Sequence, residues 1–247
     1  MIVTMDLILA CIFFLIAVLY GAVGLGGGSG YLAVMGIAGL PPEVIRPTAL
    51  TLNILVASIG TWKHVRAGQF SGRIFWPIVA TSIPFAFLGG RLSLPGELYR
   101  PIVGIVLFYA AYRLWRGSNG PTQAAVRERL PIWMALIAGA VIGLIAGLVG
   151  IGGGIFLGPL LLLAGWSDTR EAMGITAAFV VVNSAAGLAG RLSTVPELPL
   201  SMMLWLVVVG VGGWIGAEFG SNRLNPLVLR RLLALVLLAG GLRIMFA

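Results

Sequence analysis

Two five-residue clusters, Gly24-Leu25-Gly26-Gly27-Gly28 and Gly150-Ile151-Gly152-Gly153-Gly154, stand 126 residues apart, and Gly21 and Val23 before the first match Gly147 and Val149 before the second. Glycine brings no side-chain chemistry. What such a cluster offers is backbone: N–H and C=O groups that a helix interrupted there leaves unpaired. A helix that restarts beyond the break, near Ser29 or Ile155, aims its N-terminal N–H groups and the positive end of its dipole at the break, which suits an anion. Close helix packing accounts for many of the 36 glycines in the chain. Three in a row, at matched positions, are more than packing requires, because each costs ~1 kcal/mol of helix propensity. Gly24, Gly26, Gly27, Gly28 and Ser29, with Gly150, Gly152, Gly153 and Gly154, are therefore candidate substrate-binding residues.

Uncharged polar residues follow each cluster in an apolar setting: Thr48, Thr51, Asn53 and Ser58, then Thr176, Asn183 and Ser184. Thr48 and Thr176 are 128 apart, Asn53 and Asn183 130 apart. Singly, such residues serve interhelical hydrogen bonds worth ~0.6 kcal/mol. As a set they line a path, so Thr48, Asn53, Thr176 and Asn183 join the candidates. Asn183 leads them, since a buried amide donates two hydrogen bonds to an oxyanion without imposing a fixed charge.

Other chemistries lack material. The clusters match neither the dinucleotide-binding fingerprint nor the P-loop. With one histidine (His64), one cysteine (Cys11) and no carboxylate pair at helical spacing inside an apolar stretch, neither a metal site nor an acid–base dyad is expected, nor any cofactor. Cys11 reads as a small lipid- or core-facing residue, and His64, beside Lys63 and Arg66, as a surface residue. Arg46 with Glu43, and Arg170 with Glu171 or Asp168, read as exposed ion pairs at span mouths, where Arg46 draws anions in. Arg91 and Arg191 read as snorkelling anchors, and Trp62, Trp76, Trp115, Trp133, Trp166 and Trp205 as interfacial belts.

The elements that must position these residues are set by composition. Of 247 residues 59% are hydrophobic and 10% charged, too little polar surface to cover a water-soluble globule. The net charge of +8 comes from scattered basic residues, with no basic run interleaved with aromatics, so the expected partners are lipid and a small anion rather than nucleic acid. The first apolar run lacks a basic leader, Asp6 being the sole charge before Glu43, and is read as mature protein.

Uncharged stretches run over 7–42, 47–62, 74–90, 101–112, 130–167, 172–190, 198–217 and 232–242. The two glycine-bearing ones, 36 and 38 residues long, exceed the ~20 residues of one crossing. If each crosses once, Lys and Arg split nine to seven across the membrane. If each enters and returns, they split eleven to five, a respectable positive-inside bias. The expected fold is thus all-α and polytopic: two inverted repeats, 5–117 and 131–247, each a Gly-broken helical hairpin followed by three transmembrane helices, joined by a cytosolic linker at 118–130. Both termini then lie outside. The hairpin arms are expected to be ~24 and ~20 Å long, dipping to mid-depth or tilting across.

These features in this order, with the Trp62-Lys63-His64-Val65-Arg66-Ala67-Gly68-Gln69-Phe70 loop and the Leu-Arg-Arg-Leu start of the last span, resemble the sulfite exporter TauE/SafE family over nearly the whole chain. The resemblance implies a bacterial inner-membrane permease for sulfite, sulfonates or related small oxyanions, and in that membrane the outside termini of the charge count are expected to be periplasmic. Its glycine motifs fall on Gly24, Gly26, Gly27 and Gly28 and on Gly150, Gly152, Gly153 and Gly154. Alternating access, with the anion held at the two breaks, is the expected mechanism. The alternative is a non-transporting membrane scaffold or assembly subunit. Oligomeric state is left open, a homodimer included.

Overall fold

A computed structural model of the chain describes residues 2–22, 26–116, 131–193, 202–219 and 226–246. The regular elements among them are ten helices: α1 (Ile2–Ala22), α2 (Gly28–Ile37), α3 (Pro42–Arg66), α4 (Gly72–Arg91), α5 (Gly96–Arg116), α6 (Ile132–Val149), α7 (Gly154–Leu163), α8 (Thr169–Leu192), α9 (Met202–Phe219) and α10 (Pro226–Phe246). The order of lengths in α1 to α5 recurs in α6 to α10, a long helix, a ten-residue helix, then three long ones. The linker expected at 118–130 lies outside the described residues.

Local sequence sets the boundaries. Pro42 opens α3, Glu43 sits in its first turn, Lys63, His64 and Arg66 close its last, and Gly68 at φ 69° turns the chain away. Asp168 caps α8, its Oδ1 accepting from Glu171 N at 2.9 Å. The hairpin arms are less equal than expected: α1 and α6 span ~31 and ~27 Å, whereas α2 and α7 reach only ~15 Å. Left-handed glycines set this length, Gly27 and Gly153 capping the short helices at the start and Gly39 and Gly165 turning the chain after them. Four helices, Pro42–Arg66, Gly72–Arg91, Ile132–Val149 and Arg170–Leu192, are long and apolar enough to cross a membrane, among the described residues.

Glycine faces decide the packing. On α6 the i, i+4 series Gly139, Gly143, Gly147 lies against Ile78, Ser82 and Ala86 of α4, so the two helices run parallel with backbones in contact. A Cβ on Gly139 would come within 2.1 Å of the Ile78 carbonyl. Gly212 and Gly216 of α9 meet Phe14 and Val18 of α1 in the same parallel way. By contrast α3 and α8 are antiparallel, with Leu50 against Gly187, Asn53 against Ser184 and Gly60 against Ala177.

These pairings give the molecule two ends. At the terminal face lie the start of α1, the end of α10, the α2–α3 and α4–α5 turns and the end of α8. At the linker face lie the α3–α4 and α7–α8 turns, the end of α5 and the starts of α6 and α10, with Lys63 and Glu218 paired at 2.6 Å between α3 and α9. Trp62, Trp76, Trp115 and Trp133 are exposed, as a belt requires, and so is Cys11. Trp205 is not: it is 1% exposed, packs edge-on to Phe13 and donates from Nε1 to the Asp6 carbonyl. Trp166 is buried too, in the cluster around Phe75 and Leu161.

Candidate functional site

The two glycine turns meet at one side chain. Asn53, in the middle of α3, accepts from Gly28 N through Oδ1 at 3.0 Å, while Nδ2 donates to the Ile151 carbonyl at 3.3 Å and to Ser184 Oγ at 2.9 Å. One buried amide thus stitches the first turn to the second and to α8. Glycine is what lets it fit. A Cβ on Gly26 would come 2.0 Å from Asn53 Oδ1, and one on Gly152 2.4 Å from Nδ2. Gly27, Gly150, Gly152 and Gly153 also hold φ between 71° and 92°, the left-handed region that L side chains avoid.

Beyond the turns, α2 runs toward the terminal face and α7 toward the linker face, so their N-termini approach head to head. Neither has a side-chain cap from its own N-cap glycine. Asn53 occupies the Gly28 N–H, and the first-turn N–H groups of Ser29, Gly154 and Ile155 have no acceptor within their own helices. Between the two ends is a cavity of ≈ 20 Å³, lined by both turns, Asn53, Ser29 and Ile155. That is room for one water molecule. Tyr20 and Ser29 close one side through a 2.9 Å hydroxyl pair. No charged side chain lines the cavity, so its field comes from two positive helix ends.

The candidates divide accordingly. Gly26, Gly27, Gly28, Ser29, Asn53 and Gly154 line the cavity, and Gly152 packs on Asn53. Gly150 and Gly153 shape the second turn. Gly24 lies outside the described residues. Asn183 is fully buried but faces α4: its Nδ2 donates to Ser82 Oγ at 3.1 Å and to the Phe179 carbonyl at 2.9 Å, while Oδ1 has no partner. Thr48 and Thr176 are also buried outside the cavity, with unpartnered hydroxyls. Thr51 and Thr61 differ, each bonding the carbonyl four residues back.

Two arginines depart from the sequence reading. Arg46 is 3% exposed rather than at an open mouth. Its Nη2 donates to the Gly89 and Gly147 carbonyls at 3.1 and 3.2 Å, with a longer contact to Gly90, and Nη1 donates to Leu92 at 3.2 Å. These carbonyls end α4 and α6, where the helix dipoles are negative and hold a cation without a carboxylate. Tyr99 stacks on the guanidinium at 5.4 Å and donates from its hydroxyl to the Val149 carbonyl. Arg191, 4% exposed, donates to Ser93 Oγ rather than snorkelling outward. Tyr20 and Tyr99 carried no sequence signal and nothing marked the two arginines as buried, since burial here comes from partners distant in the chain.

With ten helices, glycine-broken hairpins and a central polar knot in place, comparison with known proteins decides the family. The profile of the sulfite exporter TauE/SafE family matches residues 9–244. The chain belongs to this family. Among its relatives, a probable membrane transporter protein, y4hK of Sinorhizobium fredii, is 38% identical over 96% of this chain and 97% of its own. YjnA of Bacillus subtilis, also called a probable membrane transporter protein, is 24% identical over 93% of this chain and 95% of its own. A third, MJ0441 of Methanocaldococcus jannaschii, is 21% identical over 93% and 91%. No solved structure matches. The chain is therefore a multi-pass member of a membrane-transporter family.

Proposed function

We propose that this protein exports sulfite, an organosulfonate or a related small oxyanion by alternating access, the anion sitting between the N-termini of α2 and α7. The observation that carries this reading is their head-to-head approach at a cavity bridged by Asn53. Backbone N–H groups and helix dipoles there favour a negative guest, and the Asn53 carbonyl oxygen occupies the Gly28 N–H that an oxyanion would claim. The ≈ 20 Å³ cavity is a closed form of the site, and Asn53 must swing aside to admit the anion.

Residues 5–117 and 131–247 are, in this reading, inverted repeats. The antiparallel crossing of α3 over its counterpart α8, and the matching parallel pairs α4 with α6 and α9 with α1, support it. Lys63, Arg66, Arg73, Arg116 and Arg170 gather at the linker face, which favours that face as cytosolic and both termini as periplasmic in a bacterial inner membrane. An interior-negative potential then drives out a monovalent anion with ~2.3 kcal/mol per 100 mV, so export needs no coupled ion.

Uptake of radiolabelled sulfite and sulfonate into vesicles containing the purified protein tests this, with Gly27→Ala as the control. Flux in the wild type that vanishes in Gly27→Ala at equal membrane abundance is the expected result. Absence of flux for every oxyanion tried, or flux indifferent to Gly27→Ala, favours the scaffold alternative, in which glycines only pack helices.

A further inference from the structure

Arg46 is a charge the central site does not use. It lies seven residues before Asn53 on α3, ~10 Å nearer the terminal face. An ionisable group this deeply buried in a membrane protein is costly, and no carboxylate forms an ion pair with it among the described residues. Its partners are the carbonyls of Gly89, Gly90, Leu92 and Gly147, and its Nε has none. The grip spans both halves of the chain, since α3 and α4 belong to the first and α6 to the second. It also lies directly beside the second glycine turn, where a Cβ on Gly150 would come 3.3 Å from Arg46 Cα. On the far side of Tyr99, toward the terminal face, a cavity of ≈ 280 Å³ is lined by Tyr99, Ile45, Pro42 and Arg100.

Toward the linker face the 128-residue offset meets no arginine. The offset that aligns Thr48 with Thr176 places Gly174 opposite Arg46, and there the Gln69 carbonyl fills the space, 1.8 Å from where a Cβ would lie. What crosses between α3 and α9 on that face is the exposed Lys63–Glu218 pair.

We propose that Arg46 is a second binding station for the transported oxyanion and the latch of the terminal-face neck. An oxyanion offers the guanidinium fork two charged oxygens, a stronger partner than neutral carbonyls. On arrival it takes over the fork, frees the ends of α4 and α6, and opens the neck into the ≈ 280 Å³ cavity. This rests on the oxyanion-transport reading above and adds where the gate lies and what opens it.

The test places a cysteine at the neck, Val149→Cys in a Cys11→Ala background, in proteoliposomes. The readout is the labelling rate by a membrane-impermeant maleimide applied from the terminal face, with methanesulfonate as probe because it is inert to thiol reagents. Methanesulfonate should speed labelling several-fold while Arg46 is present. Arg46→Gln should label about tenfold faster without any anion, a loss of ~1.4 kcal/mol from the closed state, and show no further response to methanesulfonate. Should Arg46→Gln fail to fold, Arg46→Lys carries the test, since it keeps the charge but loses the fork and must lose most of the anion effect. Labelling indifferent to methanesulfonate in the Arg46 protein, or unchanged in a monodisperse Arg46 variant, overturns the latch. Sulfite flux measured on the same vesicles separates the two ideas: flux without the labelling response sinks the latch alone, and absence of both sinks the transport reading with it.

Discussion

Asn53 and Asn183, 130 residues apart in sequence and both buried in mid-helix, do different work. Asn53 reaches across to Ser184, binds both glycine turns and fills the centre of the molecule. Asn183, on another side of α8, donates instead to Ser82 on α4. The lesson is that a residue type recurring along the sequence does not fix what it touches. The knot is accordingly one-sided, leaving the first glycine turn with a carbonyl oxygen cap on Gly28 and the second with a donor on Ile151.

The largest consequence concerns the glycine that Asn53 leans on. Gly152→Ala forces a left-handed residue and a Cβ into the amide, and flux should fall by ~100-fold. Gly68→Ala carries a similar φ but meets nothing within 4 Å, so it should lose a little stability and keep its flux. Equal losses in both would mean that strain alone, not the knot, is being measured. Next in size is the asparagine pair. Asn53→Ala should cut sulfite flux about tenfold, having removed three buried hydrogen bonds at the cavity. Asn183→Ala should lower the melting temperature of the purified protein yet change flux by less than ~3-fold. Reversed flux effects would relocate the site to the α4–α8 side.

Smaller is the effect of Thr48→Val and Thr176→Val. Each removes a buried hydroxyl with no partner, so stability should hold or rise, while flux drops ~3-fold if the hydroxyls serve the moving anion. Unaltered flux in both would confine the path to the cavity. Smallest is Lys63→Met at the linker face. Its partner is exposed, so stability should change by under ~1 kcal/mol and the difference should fade in high salt. A large loss there would mean that both necks are latched alike.

Much of this was legible in particular residues. Matched triple glycines in stretches too long for one crossing announced broken helices, and the α1–α2 and α6–α7 hairpins follow. That many glycines serve helix packing was recognisable, though not which helices they join. Legibility failed wherever a contact joins distant segments. Arg46 looked like any arginine beside a proline at a span mouth, because nothing local says that the ends of α4 and α6 converge on it. Trp205 looked interfacial for the same reason.

What the sequence determined by itself is the solvent and the punctuation: apolar runs that demand lipid, and glycines that let the backbone turn where a Cβ cannot go. Those are properties of single residues and their near neighbours. The tertiary structure alone decided which asparagine meets the turns. The α3–α8 register sets Asn53 opposite Ser184, and Asn183, one residue earlier and so ~100° around the helix, faces α4 instead. Helical period tells which side chains share a face; only packing tells what that face meets.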